Sequence, residues 1–204
     1  MEILATRILQ QPVKRERRSP TILIDGVFFQ LYSTGIARLW RSVLAQWAQT
    51  EFSNHIILLD RVNTAKVPGI RYRTLPAYSY NNTDADKQML QQVCDEEGAD
   101  LFISTYYTTP ISTPSVFMAY DMIPEVFGLN LKEPMWREKH HAIGHASSYI
   151  SISESTSRDL VKFFPDITQD EVTVAYCGVA PTFTPATTTQ ISAFKHKYGI
   201  SKPY

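Results

Sequence analysis

The chain has 204 residues, 44% of them hydrophobic and 20% charged, the proportions of a globular domain large enough for a substantial core. Twenty basic residues offset twenty acidic ones, so no general attraction to nucleic acid follows. No apolar run approaches the ~20 residues of a membrane-spanning helix and the N-terminus carries no signal-peptide pattern. Two cysteines, Cys94 and Cys177, make neither a disulfide framework nor a metal site.

Residues 1–20 read as an N-terminal extension in which the apolar Ile3, Leu4, Ile8 and Leu9 precede the basic Lys14, Arg15, Arg17 and Arg18. The cluster reads either as a solvated arm or as a contact with an anionic membrane surface. From Thr21 to Ala48 the pattern is that of a buried strand, a glycine-containing loop and an amphipathic helix. Ile22, Leu23 and Ile24, then Val27, Phe28 and Phe29, form a run without alternation, as in a central parallel strand covered on both faces. Ile36, Leu39, Trp40, Val43, Leu44 and Trp47 make one helical stripe. Ser33 or Thr34 is placed to cap this helix, and Gly35 lets the backbone approach a ligand at its positive end.

HIILLD, ending in Asp60, predicts a second buried strand, and Ile70–Leu75 a weaker, alternating one suited to a sheet edge. Thr83 caps a helix with Met89, Leu90, Val93 and Cys94 on one face and Gly98 as its stop; Cys94 reads as a buried thiol. LFIST (101–105) and SVFMAY (115–120) are strands separated by the polar, aromatic loop from Tyr106 to Pro114. Pro134 opens a helix whose inner face holds Met135, Lys139 (by its stem), Ala142, Ile143 and Ala146. YISIS (149–153) is a strand, Ser153 caps a helix ended by Pro165, and VTVAYCGV (172–179) is the last strand. Thr187-x-x-Gln190 is a capping box before a helix stopped by Gly199. Strands alternating with helices predict a doubly wound, mostly parallel α/β Rossmann-like sheet over residues 21–185, with a linker helix in 186–204.

Such a sheet binds ligands outside the carboxyl ends of its strands. The nicotinamide G-x-G-x-x-G fingerprint, a P-loop and a G-x-S-x-G elbow are all absent. His140, His141 and His145 share a helix, but no Glu follows the H-E-x-x-H order, so solvent-facing or helix-end histidines are the expectation. Tyr120, Asp121 and Glu125 remain, at a strand's carboxyl end, where a carboxylate can accept several hydrogen bonds from sugar hydroxyls. Asp121 also reads as the cap of a turn.

Four segments carry a family resemblance. GVFFQLYSTGIARLW (26–40) resembles the "TGI-x-R" loop and helix start of glycosyltransferase family 4, and AYDMIPE (119–125) its "HD-x-x-P" loop. SISESTSRDLVKFFP (151–165) is similar to the family's "S-x-x-S-x-x-D-L" helix start, and VTVAYCGVAPTFTP (172–185) to its strand-to-linker segment. The resemblance implies a GT-B architecture, with residues 21–185 as the acceptor-side N-terminal domain and a C-terminal donor-binding domain beyond 204. It implies retaining transfer of a sugar from a nucleotide-diphosphate donor, generally without a metal ion, to a glycan or lipid-linked acceptor. Bacterial envelope or exopolysaccharide synthesis follows by analogy, in a cytoplasmic setting or at the inner membrane face.

The residues that match the family's sites are Asp121 and Tyr120 for catalysis, and Ser33, Thr34, Gly35, Tyr106, Glu125, Ser153 and Glu154 for substrate binding. Tyr120 replaces the family's histidine, and Ala180 stands where the linker motif often has Asp. A different reading of the same chain is a non-catalytic α/β module that binds carbohydrate or a protein.

Overall fold

The computed structural model describes residues 19–30, 34–62 and 66–202. Seven parallel strands form one sheet: β1 (Ile22–Asp25), β2 (Ile56–Asp60), β3 (Arg71–Thr74), β4 (Leu101–Ser104), β5 (Ser115–Ala119), β6 (Ser148–Ser151) and β7 (Val172–Val174). Their order is β3-β2-β1-β4-β5-β6-β7. The chain winds outward from β1 to β3, returns to place β4 beside β1, and winds out the other way. The crevice at the carboxyl ends of β1 and β4 is therefore the topological switch point.

Six helices accompany the sheet among the described residues: α1 (Gly35–Trp47), α2 (Thr83–Glu97), α3 (Ile123–Val126), α4 (Pro134–His145), α5 (Glu154–Phe163) and α6 (Thr188–Tyr198). Every residue of β1 and β2 is buried, because helices cover both faces. Ile22, Ile24, Ile56 and Leu58 pack with Trp40 and Leu44 of α1. Leu23, Ile57 and Leu59 point the other way, against Leu90, Val93 and the buried Cys94 of α2. A third cluster joins Phe117 and Ala119 to Ala142, Ile143 and Leu160 of α4 and α5. At the edge, β3 carries Arg71 and Arg73 in ion pairs with Glu96 and Glu97, a charged border that discourages pairing with another strand.

Several sequence expectations are corrected. Val27–Gln30 is a 3-10 turn rather than more strand. The chain leaves the sheet at Gly26, whose amide donates to the Leu59 carbonyl at 2.9 Å. A Cβ at Gly26 would stand 2.8 Å from that oxygen, so only glycine fits. The last strand ends at Val174, not 179: its neighbour β6 stops at Ser151, which accepts one more bond from Ala175. Asn82, not Thr83, occupies the cap position of α2. Thr34 precedes α1 but makes no capping bond with its side chain.

The caps at Ser153 and Thr187-x-x-Gln190 form as read. No residue of α6 is buried. Ser33 and the basic cluster 14–18 lie outside the described residues.

Candidate functional site

The switch-point crevice is built on charges that close the apolar strands. Asp25 ends β1, and Arg61 follows β2. The guanidinium donates through Nε and Nη2 to Asp25 at 2.7 and 2.8 Å. It donates through Nη1 and Nη2 to Asp86 of α2 at 2.7 and 3.0 Å. Thr108 adds a bond to Asp25 Oδ2 at 2.5 Å. Burial by itself would lower the Arg61 pKa, but the two carboxylates outweigh it and the pKa is raised. Burial foremost raises the Asp86 carboxyl.

This knot ties β1, β2, α2 and the loop after β4 into one rigid floor. It was not anticipated from the sequence. The available signal was a charge closing each apolar run, in ILID and in IILLDR.

The loop after β5 holds the predicted catalytic pair, with different fates for its members. Tyr120 is buried. Its hydroxyl accepts from Trp40 Nε1 at 2.6 Å and donates to the Thr105 carbonyl at 3.0 Å. Burial raises its pKa well above the ordinary phenol range. It therefore stays neutral and joins α1, β5 and the loop after β4 as a structural bolt.

Asp121 is half-buried, and its Oδ1 accepts from the Ile123 amide at 3.0 Å. Its Oδ2 has no hydrogen-bond or ion-pair partner among the described residues. The charge of Asp121 is felt by the phenols of Tyr106 and Tyr107, whose pKa values rise chiefly through burial. Tyr106 stacks on Tyr107 with ring centres 3.7 Å apart and directs its hydroxyl to Met135 at 3.2 Å.

Glu125 does not face the crevice as a free carboxylate. One oxygen accepts from Lys139 Nζ at 2.7 Å and the other lies 2.8 Å from His140 Nε2. Lys139 also donates to the Asp121 carbonyl at 3.1 Å. The expectation that Lys139 packs only its stem is thus corrected: the whole side chain is buried because its charge has partners. His140 is likewise within hydrogen-bond distance of Glu125 rather than simply solvent-facing, and His145, the last residue of α4, lies 3.1 Å from the Thr113 carbonyl. No cluster among the described residues could hold a metal ion.

Ser153 accepts from the Thr156 amide as the α5 cap, and Thr156 reaches the Tyr120 carbonyl at 3.4 Å. Tyr106, Tyr120, Asp121 and Ser153 are thus neighbours. Glu154 is exposed, 3.4 Å from the Tyr176 hydroxyl.

Thr34 and Gly35 lie elsewhere, at the start of α1. A groove of about 860 Å³ runs along this helix from Gly35 to Trp47, between it and residues 177–183, and Thr34 does not line it. Gly35 and Arg38 line it, and a Cβ added at Gly35 would meet nothing within 4 Å among the described residues. Arg38 stands 5.7 Å over the Phe183 ring. A helix start with an open glycine and an arginine one turn on makes a place where an anionic group can be met by amides and a cation.

No family model matches the chain, and no curated protein matches it. Solved structures do. HepE from Anabaena in complex with UDP aligns with a TM-score of 0.55 and 12% identity, covering 88% of this chain and 50% of that one. The same protein with UDP and glucose gives 0.53 and 13%, over the same shares. A glycosyltransferase from Rickettsia africae aligns at 0.47 and 13%, over 90% and 50%. The chain thus spans about half the length of the structures it matches. Its fold, a seven-stranded parallel α/β sheet of Rossmann-like type, is shared with the HepE structures.

Proposed function

We propose that this domain is the acceptor-side half of a glycosyltransferase that uses a nucleotide-diphosphate sugar. The observation that carries the reading is the open groove along α1, with Gly35 and Arg38 at one end of it, on a fold shared with a protein solved with UDP and UDP-glucose. The donor diphosphate would approach Gly35 and Arg38, while Asp121 Oδ2 would face the transferred sugar or the acceptor hydroxyls. Transfer breaks the bond from the anomeric carbon to the diphosphate and forms one to an acceptor hydroxyl. A fixed carboxylate would stabilise positive charge developing at that carbon.

Retention of configuration, independence of metal ions and a glycan or lipid-linked acceptor extend the family resemblance and are part of this proposal. So is a role in polysaccharide assembly. Tyr120 is assigned support rather than chemistry, since both of its hydroxyl's bonds are internal. Glu125, engaged by Lys139 and His140, is assigned the positioning of the Asp121 loop.

The test is a transfer screen of the full-length protein against a panel of nucleotide sugars. Release of nucleoside diphosphate with one donor is expected. Binding of glycans without turnover on any donor would favour the non-catalytic module.

A further inference from the structure

Phenols and carboxylates meet at the switch-point crevice, and the cations among them are already engaged. Tyr80 stands on the loop after β3. Gln30 clamps that loop, accepting from the Tyr78 amide at 2.6 Å and donating to the Tyr78 carbonyl at 3.3 Å. The Tyr78 ring lies under the Arg61 guanidinium at 5.6 Å and packs edge-on against Tyr80 at 5.1 Å. Tyr80 is thus held firmly and half-buried, yet its hydroxyl makes no hydrogen bond among the described residues. Burial foremost raises its pKa, and Tyr106 and the Glu138 carboxylate add to the rise. Tyr106 in turn feels Asp121 and directs its hydroxyl only to the weak acceptor Met135.

Arg61 is held by Asp25 and Asp86, and Lys139 by Glu125. Lys87 of α2 lies 3.4 Å from Glu138 of α4. His141 is no cation at neutral pH, because burial and then Lys87 lower its pKa. Lys87 does not cancel Glu138, whose charge still raises the phenols of Tyr78 and Tyr80. A neutral phenol offers a sugar an apolar ring face and a hydroxyl that donates or accepts. An anion here would lose water and meet carboxylates without a free cation in return.

We propose that this crevice selects an uncharged acceptor sugar, held by Tyr80 and Tyr106 beside Asp121, and that Glu138 excludes uronates. The inference rests on the acceptor-side reading of the Asp121 site and adds the charge class of the acceptor. Glu138 acts here on specificity and takes no part in the chemistry.

Saturation-transfer NMR titrations of the full-length protein, without donor, test this with matched methyl glycosides. The pairs are glucoside and glucuronide, galactoside and galacturonide, mannoside and mannuronide. At least one neutral member should bind, at least tenfold more tightly than its uronate partner. Glu138→Gln should narrow that gap at least threefold by strengthening the uronate, a change that a packing role would not produce. Tyr80→Phe should weaken the neutral sugar at least threefold with an unchanged melt, since the lost hydroxyl has no internal partner. A uronate that binds as tightly as its neutral partner overturns the proposal, as does the absence of any neutral binding. The wild-type comparison needs no variant, so a substitution that fails to fold leaves the test standing. It needs no turnover either. A protein inactive on every donor that still prefers a neutral glycoside would defeat the transfer reading alone, and turnover favouring a uronate acceptor would defeat this inference alone.

Discussion

Asp121 divides its carboxylate between two tasks. Oδ1 caps the turn by accepting from the Ile123 amide, while Oδ2 has no hydrogen-bond partner among the described residues and is the oxygen proposed to meet the sugar. Asp121→Asn keeps the capping oxygen and removes the charge. In the full-length protein, if the proposed transfer is its reaction, turnover should fall by roughly 10²-fold, the loss that follows removal of one strong transition-state contact. The melting temperature should stay near wild type. A shifted melt with intact turnover would return Asp121 to turn capping alone. Tyr120→Phe should behave in the opposite way. It strips partners from the buried Trp40 indole N–H and the Thr105 carbonyl, a loss of about 1–3 kcal/mol in stability. Thermal melts combined with turnover on both variants separate the two residues. Their placement at a strand's carboxyl end was legible in the sequence, because SVFMAY runs unbroken into Asp121. The commitment of the Tyr120 hydroxyl was not, since Trp40 lies eighty positions away and no local pattern announces the contact.

The elements most readable in the sequence were those whose signal is local. The α1 stripe, the Ser153 and Thr187 caps and the charged edge strand all formed as the periodicity and cap chemistry require. The strand errors arose where the sheet, not the residue types, decides. Val27–Phe29 is apolar enough for a strand but turns out of the sheet at Gly26, and 175–179 has no strand beside it to pair with. The Lys139–Glu125 pair was invisible for a similar reason: a lysine on an apolar helix face ordinarily sends its charge to solvent. Here a carboxylate fourteen residues earlier folds over it. Lys139→Met should leave Glu125 buried opposite only His140 and lower stability by about 3–5 kcal/mol. Lys139→Met/Glu125→Leu should recover much of that loss, because no uncompensated charge remains. Urea denaturation of the two variants measures both effects. Equal destabilisation would show that the pair acts through shape rather than charge.

At the scale of the whole molecule, burial is uneven. The sheet has a complete core on both faces, whereas Val179, Phe183, Ile191, Phe194 and Tyr198 all lie exposed along the final segment. Residues 19–202 should therefore melt cooperatively by themselves, and calorimetry should find one transition. They should transfer no sugar, because the proposed reaction needs a donor-binding half. Turnover by this chain alone would defeat the two-domain reading. The claim at the centre is that a donor diphosphate is met at the start of α1. Gly35→Val addresses it directly, since a Cβ added there meets no atom of the described residues within 4 Å. Calorimetric titration of nucleotide-diphosphate sugars into the full-length protein and this variant is the deciding measurement. The account requires donor affinity at least tenfold weaker in the variant, with an unchanged melt; equal affinity in the two proteins would contradict it.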